Sequence, residues 1–359
     1  MKKPKKPKLN SLKVPFKKVV KPAEERVDEA LSNVPRITND TVAEHREEVL
    51  SSARKFIYPL QHSKHSVVRI SLGLFVSVLI LFLVYCGLAM YKFQSTSGFI
   101  YGVTRVLPFP VAKVGSHWIS YESYLFELRH NMHYYHTQQH DEFSTADGKV
   151  RLGRLKQQAM TTVVEDAYVK ELANKNHVSV SSGDVNHEVA LVRAQNRLGS
   201  NDRVFKDVLK EFWGWSESDF KRELKQQMLQ QAVVAKLDKS ANDRANSALK
   251  QLQGGADFAA VATAMSDDLS TKGNGGQYGV AIAPNDPNIA PAITDTLFKM
   301  KPGQISGIIN TGYTLEILKV IDASGSNVHA AHIQFTFKDI HEFTNPLQKT
   351  EKPRHYIKV

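Results

Sequence analysis

The chain has 359 residues, which leaves room for two or three domains, and a formal net charge of +11 at pH 7. A single cysteine, Cys86, excludes internal disulfides, cysteine-ligated zinc and thiol oxidoreductase chemistry. The positive charge is concentrated early: nine lysines and no acid lie between Lys2 and Lys21, and sixteen basic against eight acidic residues precede Ile70.

Residues 1–38 are rich in Lys and Pro and poor in apolar residues, a composition that predicts disorder. A basic tail alone suits nucleic acid or an anionic membrane surface. It has no interleaved aromatics and no recognisable module, so no nucleic-acid partner is expected. Thr41-Val42-Ala43-Glu44 has the spacing of a capping box, and Val42, Val49, Ala53 and Phe56 recur at helical spacing. Two readings stand there: an amphipathic helix on the inner leaflet with Arg46, Arg54 and Lys55 near head groups, or a loosely helical linker.

Ile70 to Tyr91 carries no charge. At ~1.5 Å per residue it reaches roughly 33 Å, enough to cross a hydrocarbon core of about 30 Å. The 69 residues that precede it and the bulky Tyr85 beside Cys86 mean that neither a cleaved signal nor a lipoprotein site is expected. The basic flank then leaves everything after about residue 92 outside the cytoplasm, under the positive-inside rule. The expected organisation is a cytosolic tail over 1–66, a transmembrane helix over 67–91, a linker over 92–110, a helical domain over 111–240, a small sheet-bearing domain over 241–340 and an extension over 341–359.

Past the span, Gln94–Gly98 reads as a polar linker and Val111–Gly115 as a short strand. Ser120 caps a helix beginning Tyr121-Glu122, and a second helix runs from about Leu152 to Lys175. Ser181-Ser182-Gly183-Asp184 opens a third, a short fourth covers Val204–Phe212, and Ser216 starts what reads as the longest, with Phe220, Leu224 and Met228 in one stripe. Ala241–Leu252 continues as helix to Gly254-Gly255, and Asp257 caps another over Phe258–Met265. Ala292–Phe298 fits two helical turns. Ile305–Ile309, Leu315–Ile321 and Val328–Phe337 read as strands, the last two joined by a loop over Ala323–Asn327. His130, His133, His136 and His140 have a spacing that can gather imidazoles for a metal. The tyrosines and glutamines around them point instead to an exposed amphipathic face, and no metal or cofactor is expected. Trp118, Trp213 and Trp215 suit either client contact or core. No phosphate-binding Gly-Lys motif and no Gly-x-Ser-x-Gly is present.

Two sets of motifs carry a resemblance. Val114-Gly-Ser-His-Trp-Ile-Ser-Tyr-Glu122, Ala173-Asn-Lys-Asn-His-Val-Ser-Val-Ser-Ser-Gly-Asp-Val185 and Phe212-Trp-Gly-Trp-Ser-Glu-Ser-Asp-Phe220 occur in order. They resemble the N-terminal chaperone domain of the SurA, PpiD and PrsA group of exported foldases. Gly254-Gly255-Ala256-Asp257-Phe258, Ser266-Asp267-Asp268, Gly275-Gly276-Gln277-Tyr278-Gly279, Pro302-Gly303-Gln304-Ile305-Ser306 and Glu316-Ile317-Leu318-Lys319-Val320 follow. That series resembles the parvulin family of peptidyl-prolyl isomerases, with one displacement. The family's first strand, here Ala331-His332-Ile333-Gln334, comes last. A circular permutation is expected, since the family's first and last strands lie together; a truncated second repeat is the competing reading. The fold class implied is α+β: a single transmembrane helix, an all-α chaperone domain, then a small antiparallel sheet with flanking helices.

Isomerisation about an X-Pro bond faces a barrier of ~18–20 kcal/mol and needs neither nucleophile nor metal. It needs an apolar slot for the proline ring and polar groups that favour a twisted amide. The resemblance implies His332 as the family's first histidine and Asp268 as the residue facing the twisted carbonyl. It implies Ile289, Ile293 and Phe298 around the proline, and Glu316 in place of a second histidine. The expected function is a membrane-anchored extracytoplasmic folding factor that binds unfolded or newly exported polypeptides and isomerises X-Pro bonds. The alternative is a holdase whose parvulin-like part only binds.

Overall fold

The computed structural model describes residues 38–57, 64–194 and 201–359. The disorder expected for the basic tail therefore lies outside the described residues, apart from its last position. Two units emerge, Met1–Phe82 and Leu83–Val359.

The first unit contains helix α1 (Asn39–Ile57) and most of helix α2 (Lys64–Gly87). The helix started near the expected capping box: Thr38 and Thr41 exchange hydrogen bonds, the Thr38 amide donating to Thr41 Oγ1 at 2.9 Å. Among the described residues, one helical stretch is long and apolar enough to cross a membrane, Ser66–Lys92.

The second unit opens with the last turns of α2, which continue as a π-helical turn over Leu88–Lys92. The stretch expected as a linker holds a further helix, α3 (Gly98–Val106), capped by Ser97, whose side chain accepts from the Ile100 amide. Its burial of Ile100 and Thr104 explains why a segment read as connecting chain is helical. Next come β1 (Pro110–Val114) and β2 (His117–Ser120), helix α4 (Tyr121–Gln139) capped by Ser120, and α5 (Ala146–Lys175). At 30 residues α5 is longer than the 21-residue helix that follows Ser216. Its first turns were hidden by Gly148 and Gly153, and Thr145 supplies the cap by accepting from the Gly148 amide. Helices α6 (Ser182–Ala194), α7 (Asp202–Val208, followed by a π turn over Leu209–Trp213) and α8 (Glu217–Leu237) complete the helical part. Ser216 and Asp219 form a capping box at the start of α8.

Helices α9 (Lys239–Gln253), α10 (Phe258–Met265), α11 (Leu269–Lys272) and α12 (Pro291–Leu297) lead to β3 (Ile305–Asn310), β4 (Thr314–Ser324) and β5 (Asn327–Thr336). These strands form an antiparallel sheet of order β3-β4-β5. The register runs from Thr314 opposite Thr336, through Leu318 opposite His332, to Ser324 opposite Asn327. The hairpin is tighter than the five-residue loop expected, because Gly325 takes a left-handed φ of 62°. Helix α13 (His341–Thr350) and strand β6 (Arg354–His355) follow. The latter pairs with β1 in a second sheet, β2-β1-β6, which lies among the helices of the first half.

Alternation along the strands gives the β3-β4-β5 sheet two working faces. Leu315, Ile317, Ala331, Ile333 and Phe335 pack on Ala245, Leu252, Phe258 and Val261 of α9 and α10. The same core takes in Val169 and Ala173 of α5 and Val233 and Val234 of α8, so the helical and sheet regions share it. Leu318, Val320, Val328 and Ala330 face the other way, onto Ile282, Ile293 and Leu297. Glu316 and His332 belong to this second face.

Candidate functional site

Segment Ser266–Ile282 runs along the free edge of β5 and positions the site. The Asp267 amide donates to Gln334 O at 2.8 Å, the His332 amide to Gly276 O at 2.8 Å and the Tyr278 amide to Ala330 O at 3.0 Å. Gly276 is required at that approach: its φ is +81°, and a Cβ there would lie 2.2 Å from His332 O.

This path places three side chains named by the resemblance in one cluster. His332 Nε2 lies 2.9 Å from Asp268 Oδ2, and Nδ1 lies 2.9 Å from Glu316 Oε2. Asp268 is held by its own helix start: Oδ1 accepts from the Ser270 amide and hydroxyl, and Oδ2 from Thr271 Oγ1 at 2.7 Å. Thr314 Oγ1 donates to Glu316 Oε1 at 2.8 Å. The Tyr278 ring stacks on the imidazole with centroids 4.4 Å apart.

Charge follows from these contacts. His332 is 4% exposed, and burial opposes its cationic form. The hydrogen bond and charge of Glu316, then those of Asp268, outweigh that cost and raise the imidazole pKa. Burial likewise opposes the Asp268 carboxylate, but the Ser270 and Thr271 donors and the His332 charge pull it down to about 2. Burial, helped by the Glu316 and Asp268 charges, pushes the Tyr278 phenol up, so it stays neutral. The cationic form of the imidazole is thus favoured between two carboxyl groups, with Glu316 only 2% exposed and Asp268 half-buried at the rim.

The apolar residues named with them lie differently. Ile293 is 6% exposed, inside the cluster of Ile282, Leu297, Leu318 and Val328, and acts as core rather than as a slot wall. Ile289 packs against that cluster, and Phe298 stands partly exposed at the end of α12. Tyr278, which the sequence reading left without a role, packs on the same cluster and on the imidazole. Thr271 and Thr314 were also missed. Thr271 was in principle visible, three residues beyond Asp268 on a capped turn.

Elsewhere, His130 Nδ1 faces Trp213 O at 3.2 Å, His133 Nε2 faces Glu211 O at 2.9 Å and His136 Nδ1 faces Asp141 O at 3.1 Å. These rings close off helix ends rather than converge on one point. Trp213 stacks on Trp215, which in turn stacks on His130 and Phe126. Trp118 is exposed and stacks on Tyr356. A cavity of about 420 Å³ lies between β2, α4, α5 and α8. It is lined by Trp118, Val163 and Leu229 and also by Glu127, Asp166 and Glu223, so its wall is acidic as well as apolar.

Residues 226–322 match the PPIC-type PPIASE domain (rotamase), and residues 60–234 match the SurA-like N-terminal domain. The first match ends before β5, the strand that carries His332. A parvulin-like PPIase of Rickettsia bellii (strain RML369-C) is 31% identical over 98 residues, 27% of this chain and 33% of the relative. The chain therefore spans about a third of the length of that curated relative. The crystal structure of the foldase protein PrsA from Streptococcus pneumoniae str. Canada MDR_19A aligns at 15% identity, covering 54% of this chain and 75% of that one. Its TM-score is 0.18, too low to support any structural comparison. Along one chain, a match to the SurA-like N-terminal domain is thus followed by a match to the PPIC-type PPIASE domain.

Proposed function

We propose that the chain is a membrane-anchored, extracytoplasmic foldase that binds unfolded exported polypeptides and isomerises their X-Pro bonds at the His332–Asp268–Glu316 cluster. The observation that carries this reading is the 2.9 Å contact between Asp268 and His332, residues 64 positions apart that only the final hairpin brings together. On this reading β5 stands in for the family's first strand, and the parvulin-like domain is permuted.

Amide resonance places negative charge on the carbonyl oxygen of a planar peptide bond, and twisting the bond removes it. A fixed carboxylate facing that oxygen therefore disfavours the planar form more than the twisted one, which is the differential interaction catalysis requires. His332, Ser270 and Thr271 keep Asp268 ionised and in place. Glu316 keeps His332 charged. Tyr278, stacked on the imidazole, offers apolar surface beside it for a proline ring. The apolar helix Ser66–Lys92, free of charge from Ile70 to Tyr91, supports anchoring, and the basic residues before it support a cytosolic N-terminus.

Isomerisation of a proline tetrapeptide by the full-length protein in detergent micelles provides the test. Asp268→Asn is expected to lower kcat/KM by about 10- to 100-fold, roughly 1.4–2.7 kcal/mol of transition-state stabilisation. An intact protein that suppresses aggregation of an unfolded client yet shows no rate above background would sink the enzyme reading.

A further inference from the structure

Helix α3 is apolar on both sides. Ile100 and Thr104 face inward and are buried. The opposite side presents Phe99, 58% exposed, Gly102, Arg105 and Val106, 80% exposed, at helical spacing. Phe93, 70% exposed, stands just beyond the last turn of the apolar helix. From Lys92 to Tyr121 the sequence holds Lys92, Arg105 and Lys113 and no acid.

This outer face is fixed in position. Arg129 stacks over Tyr101 at 5.2 Å and donates to Thr96 O at 2.6 Å, tying α3 to α4. The end of α2 is tied to the same helix. Tyr121, its first residue, donates from its phenol to Met90 O at 2.8 Å and packs edge-on against Tyr91, while Cys86 and Met90 are buried. Phe99 follows Phe93 by six positions, a reach of at most ~20 Å. An exposed face of two large apolar side chains with an arginine between them, beside the end of a membrane span, has the chemistry of an interfacial helix. The cations of this stretch suit anionic head groups.

We propose that the outer face of α3, together with Phe93, rests in the head-group layer of the bilayer that α2 crosses, holding the folded body against the lipid. This inference rests on the anchoring proposed above, and the test separates the two. Full-length protein carrying Cys86→Ser and a spin label at Phe99→Cys, Val106→Cys or Ser326→Cys is reconstituted into phosphatidylethanolamine–phosphatidylglycerol vesicles. Labels at 99 and 106 are expected to collide with lipid-soluble oxygen in preference to a water-soluble nickel chelate. The label at 326, on the hairpin tip, is expected to show the reverse. Protein that floats with the vesicles and resists carbonate extraction, yet has labels at 99 and 106 as water-accessible as that at 326, overturns the surface contact and leaves the anchor standing. Labels shielded from both reagents mean that a client or a second copy covers this face, which overturns it as well. Protein that does not float overturns both.

Discussion

The His332 pKa is raised because two carboxyl groups reach it at opposite ring nitrogens, one from the neighbouring strand and one from a capped turn. Because its folded pKa is raised, the stabilisation this gives is complete below the unfolded value of about 6.5 and is lost as pH rises through the folded value. Asp268 works in the opposite sense. Its contribution is present above about 3.9 and is lost as pH falls through about 2. Isomerase activity should therefore decline on the alkaline side. In Glu316→Gln the imidazole midpoint, followed by NMR, should fall, with a stability loss of about 3 kcal/mol from breaking a buried pair. A midpoint that does not move would show that Glu316 is not what keeps the ring charged. The resemblance to the parvulin family named His332, Asp268 and Glu316, and the structure brings the three side chains together. Tyr278 and Thr314 were not legible as site residues. Their roles depend on how a loop follows a strand edge and on which face of β4 a side chain occupies.

The segment Ser266–Ile282 is the element on which the cluster depends, since it both supplies Asp268 and covers the open edge of β5. Gly276 allows it to approach. Gly276→Ala should cost more than about 1 kcal/mol, because the new side chain meets a left-handed backbone and the His332 carbonyl together. Thermal unfolding measures this, and Gly279→Ala, with open space around it, is the matched control. Most helices were legible from their caps: Ser120, Ser216 and Asp257 each accept a backbone N–H where a cap was expected. Strand β2 was not, being only four residues long and running straight into the Ser120 cap. Nor was α3, whose signal is diluted by two glycines and by apolar residues on every side.

Across the whole molecule, the helical and sheet regions are joined by more than the core they share. Asp238, between α8 and α9, accepts from the Ala241 amide and from the Lys338 amide beyond β5. The cavity beside β2 introduces an opposing contribution. Burial, with the Glu223 charge next, pushes Glu127 up to about 8, and burial pushes Asp166 up to about 6. Ionising Glu127 therefore works against the fold, increasingly so as pH rises from about 4.3 through about 8. Glu127→Gln should raise stability at pH 8 by on the order of 1 kcal/mol and leave it unchanged at pH 4, as denaturant titrations at the two pH values would reveal.

The order of the strands also has a consequence in time. Synthesis proceeds from the N-terminus, so Asp268, Tyr278 and Glu316 all leave the ribosome before His332 does. Until the final hairpin turns back at Gly325, two carboxylates wait without the cation that reconciles them, and one edge of β4 stays bare. The sheet begun by residues 110–120 likewise waits for Arg354 and His355. The His332–Asp268–Glu316 cluster is therefore completed only when β5 has emerged and folded back on β4.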